Sequence, residues 1–473
     1  MSASSKKLKA CGLLFGLLLF SSGVVNCPSQ QKATTAARGG SRTAVAPDPA
    51  EAALVRQAAH PLTGAEGDYD PLLRMIGDAR FVLLGEATHG THEFYRERAR
   101  ITRRLVEEKG FNVVVLEADW TDARRVGDYA RGAGADATAE QALSGFRRFP
   151  RWMWRNADFR DFVEWLRAHN ASRASEASRV GVYGMDLYGV SESADEVVEY
   201  LRRVDAGAAE RARKRYRCLG GYRDRLEQYG YEVATAERRS CEKEAVAQLR
   251  EMEARYAAWR GRADRGRDDE LFSAYQSARV VRHGEAYHRL MYHQNFSTWN
   301  LRDKHMATTI QELVKYADAL GGPKTKVVVW AHNTHQGDAR MTERGEVGEL
   351  NVGQLMRQFH DGGAVLVGFT TYAGEVRAAS EWGGSDRKMR LREAIRESYA
   401  ALFHAAGVPN FLLLMRGGGP HADVLSSERP ERAVGVVYAP ATERRSHYFE
   451  ARLSKQFDAV IHWDVTSAVE PLK

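Results

Sequence analysis

The chain has 473 residues, 44% of them hydrophobic and 28% charged, which is apolar enough for a full core and excludes wholesale disorder. Its formal charge of +7 comes from 69 basic and 62 acidic side chains interspersed along the sequence. There is no basic stripe with interleaved aromatics, so a nucleic-acid partner is not expected.

At the N-terminus Lys6, Lys7 and Lys9 precede an apolar run over 13–20 and then small residues. That is the layout of a secretory signal, with an apolar run too short to span a membrane, and residues 1–27 are read as a signal peptide. Val24-Val25-Asn26-Cys27 is close to a bacterial lipoprotein cleavage box, with Asn26 where a small residue is usual. An ordinary signal with an incidental Cys27 fits equally well. The expected location is outside the cytoplasm, in the periplasm or cell envelope, with membrane contact only through a lipid on Cys27. Residues 28–49 lack an apolar period and read as a flexible linker, and 50–473 as one catalytic domain.

The first strongly patterned stretch is 81–120. Phe81-Val82-Leu83-Leu84 reads as a buried strand, and Gly85 and Gly90 bracket a turn holding Glu86, Ala87, Thr88 and His89. Thr91 suits a helix N-cap, apolar residues recur at helical spacing over 92–109, and Gly110 ends the helix. A second strand over 113–116 runs into Glu117 and Asp119. Parallel strands joined by a helix bring their C-terminal ends to one edge, so Glu86, His89 and Glu117 are expected to converge.

Beyond Trp120, the residues Trp152, Trp154, Phe159, Phe162 and Trp165 suit a helix packed on a core, though the same cluster would also wall a ligand pocket. A third strand over 180–186 ends on Asp186. Residues 193–320 are charged and helix-forming, and read as a helical insertion or lid over the cleft. This block holds Cys218 and Cys241, as a local disulfide or as two free thiols, and ends in a run over 283–305 dense in His, Tyr and Trp. A fourth strand over 326–330 leads into His332 and His335. Apolar runs at 364–369, 410–415, 433–438 and 457–463 read as further strands, with helices around 352–360 and 390–403. The fold expected is α/β, a mostly parallel central sheet flanked by helices, with its cleft at the C-terminal strand ends.

Serine-elbow, phosphate-loop, dinucleotide and His-Glu-x-x-His motifs are all absent. What remains is a carboxylate–histidine site that activates water. His89 serves as base, Glu86 or Glu117 orients it, and His332 and His335 donate to an oxyanion or protonate the leaving alcohol. Asp186, Trp120 and Trp154 are expected to touch substrate. Arg98, on spacing alone, is a solvated helix residue. Cofactors are not required on this reading, but Glu86, His89, Glu117, His332 and His335 would also suit a divalent zinc, manganese or iron ion.

The blocks GEATHGTHEF-x-x-x-R, GF-x-x-V-x-x-EADW, FP-x-WMWRN, WNLRD-x-HM, AHN-x-H-x-GDAR and QFDAVIHWD, in this order from about residue 80 onward, resemble the erythromycin esterase family. The resemblance implies an α/β fold with a helix-covered cleft and, in the resistance members, hydrolysis of a macrolactone ester. It also implies a base at His89 and site roles for Glu86, Glu117, His332 and His335, and it recruits Arg98. The leader and Ala307-Thr308-Thr309 depart from the family pattern. The expected activity is hydrolysis of a small-molecule ester or lactone without a covalent intermediate. The alternatives are acyl transfer or lactone formation on the same site, a metal-dependent hydrolase, and a binding protein without chemistry.

Overall fold

The structure, a computed structural model, describes residues 46–175, 178–262, 268–294 and 297–472. The signal peptide, Cys27 and most of the linker lie outside the described residues.

The sheet is nine-stranded, in the order β1 (His60–Pro61), β8 (Asn410–Leu414), β11 (Ala459–Thr466), β6 (Ala364–Ala379), β2 (Phe81–Leu84), β5 (Val327–Trp330), β3 (Val113–Asp119) and β4 (Gly181–Asp186), with β7 (Asp386–Leu391) paired to β6. From β11 to β4 every pairing is parallel, and β1, β7 and β8 add antiparallel pairs. A two-stranded sheet joins β9 (Arg429–Arg432) to β10 (Tyr448–Ala451).

The central strands are apolar runs, Val-rich in β3 and β5, and buried on both sides, as a parallel sheet between helical layers requires. Side chains alternate strictly. Phe81, Leu83, Val113, Val115, Val327 and Val329 enter one core, and Val82, Leu84, Val114, Leu116, Val328 and Trp330 the other. The first core packs the helices between β4 and β5, which run from Val190–Val204 to Thr298–Ala319. The second packs His92–Lys109, Trp120–Arg131 and Ala157–Ala171. Cys218 and Cys241 are joined as a disulfide within the helical block, 23 residues apart in sequence. No described helix is long and apolar enough to cross a membrane.

Three local expectations are corrected. Residues 433–438 are not a strand. The segment threads between the turn after β2 and β6, and makes only the isolated bridges Thr88–Val434 and Ala379–Val437. Residues 390–403 are not one helix. Residues 386–391 are drawn into β7 by pairing with β6, and the helix is only Tyr399–Ala405, capped by Ser398. Thr91 holds the N-cap position of His92–Lys109 but makes no capping bond, because its hydroxyl meets that of Thr88 instead.

β6 runs for 16 residues, far past the C-terminal end of β2, whose Leu84 pairs with Val367. Its overhang stands beside the turn that follows β2. There the Arg377 N–H donates to the Gly90 carbonyl at 3.0 Å.

Candidate active site

The turn after β2 is fixed by its backbone. The Val434 N–H donates to Ala87 O at 2.8 Å, His89 N–H to Val434 O at 3.3 Å, and Val469 N–H to Gly90 O at 3.0 Å. A Cβ on Gly90 would stand 1.9 Å from Arg377 O, and one on Gly85 2.1 Å from Asn333 Oδ1, so both glycines are required by close approach.

Glu86, fully buried, divides its two oxygens. Oε1 lies 2.9 Å from His89 Nδ1, and Oε2 accepts from Arg98 Nη2 at 2.7 Å. An ionised carboxylate only accepts, so His89 carries its proton on Nδ1 and presents Nε2 as the basic lone pair. Arg98 is itself completely buried, its guanidinium 4.5 Å from the Tyr95 ring centre and 5.0 Å from that of Trp330. Aromatic faces thus replace part of the water that a cation would otherwise need.

His332 opens the short helix Asn333–Gln336 after β5. Its ring centre is 4.8 Å from that of His89. Nδ1 accepts from the Thr334 N–H at 3.3 Å and lies 2.9 Å from Thr334 Oγ1, which places the proton on Nε2. That Nε2 is buried and has no hydrogen-bond partner among the described residues. Burial, and then the neighbouring His89, push the His332 pKa well below its ordinary value, so the ring is a neutral donor.

Glu117, at the end of β3, connects this pair to a second cluster. Its Oε2 accepts from the His332 backbone N–H at 2.9 Å, and its Oε1 from Arg302 Nη2 at 2.8 Å, with His335 Nε2 3.3 Å away. Burial would raise the Glu117 carboxyl, but His335 and Arg302 prevail and hold it well below the usual carboxylate range. Arg302 also donates to Asp186 through Nε at 2.9 Å and Nη2 at 2.6 Å. His335 sets Nδ1 against Asp303, at 2.9 and 3.1 Å, and stacks on Trp299 at 4.5 Å. Burial opposes a charge on His335, but Asp303 and Glu117 overcome it and raise its pKa to about 9. Arg302 Nη1, 3.0 Å from Nε2, would suit a neutral ring. The two flanking carboxylates decide for the imidazolium.

The structure therefore brings Glu86, His89, Arg98, Glu117, His332 and His335 to one edge. Asp186 faces the Arg302 guanidinium. Trp120 and Trp154 lie in the cores. The Trp120 indole donates to Ser273 Oγ at 2.9 Å and packs on Tyr183 and Phe272, while Trp154 donates to the Glu117 carbonyl at 3.1 Å and braces β3. Arg302, Asp303, Trp299 and Asn333 are additional members. All four fall in sequence blocks already visible as WNLRD and AHN, but helix or loop position alone does not reveal their direction. The donors do not fit a metal ion as arranged. Guanidinium groups engage Glu86, Glu117 and Asp186, and among the described residues no group of three or more His, Cys, Asp or Glu could hold one.

The profile of the Erythromycin esterase family matches residues 106–466. The chain belongs to the erythromycin esterase family. The match contains Glu117, Arg302, Asp303, His332 and His335, while Glu86, His89 and Arg98 precede it. Over 115 residues the chain is 26% identical to the erythromycin esterase type II of Escherichia coli, a stretch covering 24% of this chain and 26% of that protein. Solved structures share the fold. A Bacillus cereus protein superposes with TM-score 0.73 at 21% identity, over 90% of this chain and 99% of that one. A succinoglycan biosynthesis protein gives 0.71 at 21% identity, over 89% and 98%. A variant of the erythromycin esterase EreC in its open conformation gives 0.61 at 17% identity, over 85% and 94%.

Proposed function

We propose that this protein is an exported hydrolase that cleaves an ester or lactone with water activated by His89. The observation that carries this reading is the Glu86–His89 pair. Its 2.9 Å contact to Nδ1 leaves Nε2 as a lone pair beside the neutral N–H donor of His332. Water attacks the carbonyl carbon while its proton passes to His89 Nε2. The oxyanion accepts from His332 Nε2–H. The tetrahedral centre then collapses, the C–O bond to the alcohol breaks, and His89 returns the proton to the leaving oxygen. No covalent enzyme intermediate forms. Arg98 holds Glu86, and Arg302 and His335 hold Glu117, which fixes the His332 backbone.

Family membership makes a macrolactone the first substrate to try. The Cys218–Cys241 disulfide supports export, since such bonds persist mainly in oxidising compartments. The test is turnover of macrolides and simple esters by the purified protein and by His89→Asn, each with and without chelator and acceptor alcohol. His89→Asn should lose about 10²–10⁴-fold in kcat while its melting temperature is retained. Near-wild-type turnover by that variant removes the proposal. Loss of activity with chelator replaces it with a metal-dependent route, and product appearing only with the alcohol replaces it with acyl transfer.

A further inference from the structure

Glu431 is a buried acid that the proposed reaction does not use. It lies in β9, outside the main sheet, and is 1% exposed. Its Oε1 accepts from Asn333 Nδ2 at 3.0 Å, and its Oε2 has no hydrogen-bond partner among the described residues. Burial raises its pKa to about 8, against the side-chain amides of Asn333 and Gln456, so the group is a neutral acid at neutral pH.

Asn333 is where this acid meets the site. It follows His332, and its backbone N–H donates to the Glu86 carbonyl at 2.8 Å. Its side chain is tied to β6 twice. Oδ1 accepts from the Phe369 N–H at 3.2 Å, and Nδ2 donates to Phe369 O at 2.8 Å. The Phe369 N–H can only donate, which fixes the orientation of the amide and leaves the second Nδ2 proton for Glu431. The same amide lies on the start of the catalytic turn, since a Cβ on Gly85 would stand 2.1 Å from Asn333 Oδ1. Asn333 is fully buried, so without Glu431 that second N–H would lose its acceptor and find no water to replace it.

The chain that carries Glu431 also holds the other turn. Val434, three residues further on, donates to Ala87 O at 2.8 Å and accepts from the His89 N–H at 3.3 Å. Residues 431–434 therefore touch the His89 turn through Val434 and the neighbour of His332 through Glu431. The two histidine rings, 4.8 Å apart between centres, stand on turns from different strands, β2 and β5, and this one segment gives both turns a common reference.

We propose that Glu431 is a positioning residue that, through Asn333, fixes the His332 turn against the His89 turn and so sets the spacing of donor and base. The role needs an acceptor for the Asn333 amide and not a charge, so a glutamine can fill it. This inference rests on the hydrolase reading for what the spacing achieves, while the spacing itself belongs to the fold.

The test combines turnover of p-nitrophenyl acetate with the imidazole signals of histidine-labelled protein in two-dimensional NMR. Glu431→Met keeps the side-chain volume and removes the acceptor, whereas Glu431→Gln keeps both. Glu431→Met should lower kcat about tenfold with KM within about twofold, and should move the ring signals of His332 and His89. Glu431→Gln should hold kcat within about twofold of wild type and leave those signals in place. In protein already carrying Asn333→Ala, adding Glu431→Met should cost less than about twofold more, because the effect runs through Asn333. The same tenfold loss in both backgrounds, a Gln variant as impaired as the Met one, or unmoved ring signals in Glu431→Met overturns the proposal. Should Glu431→Met fail to fold, Glu431→Gln still decides, since a loss of activity or shifted ring signals there means that the charge and not the acceptor is needed. Absence of p-nitrophenolate release by wild-type protein overturns the hydrolase reading instead, while the ring signals still decide the positioning.

Discussion

His332 and Glu117 show what individual side chains contribute beyond their charge. The His332 ring is neutral, buried and aimed at the reacting region with an unpartnered N–H. Its replacement by Ala should lower kcat by roughly 10²–10³-fold and leave KM within a few-fold, which steady-state kinetics will show. An equal loss carried in KM would assign it to substrate binding. Glu117→Gln should cost stability rather than only rate. It leaves the Arg302 and His335 charges with one carboxylate fewer, a change worth about 3 kcal/mol in urea denaturation. At this scale the sequence is readable where a strand ends on an ionisable residue, as at Glu86, Glu117 and His332. It is unreadable where a helix residue turns inward. Arg98 has the spacing of a solvated residue, and only the Tyr95 and Trp330 faces, brought in by folding, explain how its charge is buried. Arg302 is hidden for the same reason.

Among elements, the turn from Gly85 to Gly90 depends most on its neighbours. Gly90→Ala would force a Cβ against the Arg377 carbonyl, which is backbone and cannot swing away. The expected cost is roughly 1–3 kcal/mol in stability, accompanied by a fall in kcat as the His89 turn shifts. A variant as stable and as active as wild type would show that the β6 overhang yields freely. The central strands were legible because they are short apolar runs bounded by turn residues, Val-rich in β3 and β5. The β6 overhang and β7 were not. β7 is charged and half-exposed, the β6 overhang mixes small and polar residues with Glu375 and Arg377, and pairing across the hairpin, not local preference, makes them strands. Residues 433–438 differ in the opposite sense: they have a strand's pattern but meet β6 only at its last residue, Ala379, so no ladder extends along them.

For the whole molecule, buried acid–base groups with raised pKa shape the response to pH. His335 has its pKa raised from 6.5 to about 9, so its contribution to stability is complete below pH 6.5 and is lost as pH rises through 9. Glu431, raised by burial to about 8, adds to the same decline, since its protonated form is the one that the fold favours. The melting temperature should therefore fall from neutral pH toward pH 9, and His335→Gln should flatten the upper part of that fall. An unchanged slope would mean that the imidazolium is not present. Reduction of Cys218–Cys241 should cost about 3 kcal/mol, seen as a lowered denaturant midpoint. The catalytic turn is written early in the chain, but Val434, Arg377 and Val469 supply its backbone partners, and Glu93 beside it accepts from Ser467, 374 residues later. Such long-range closure is slow, and it leaves the nascent turn without its frame. A chain still being made therefore holds Glu86, His89 and Arg98 of the proposed site and none of the constraint that brings them together. The turn takes its final shape only when the last strand arrives.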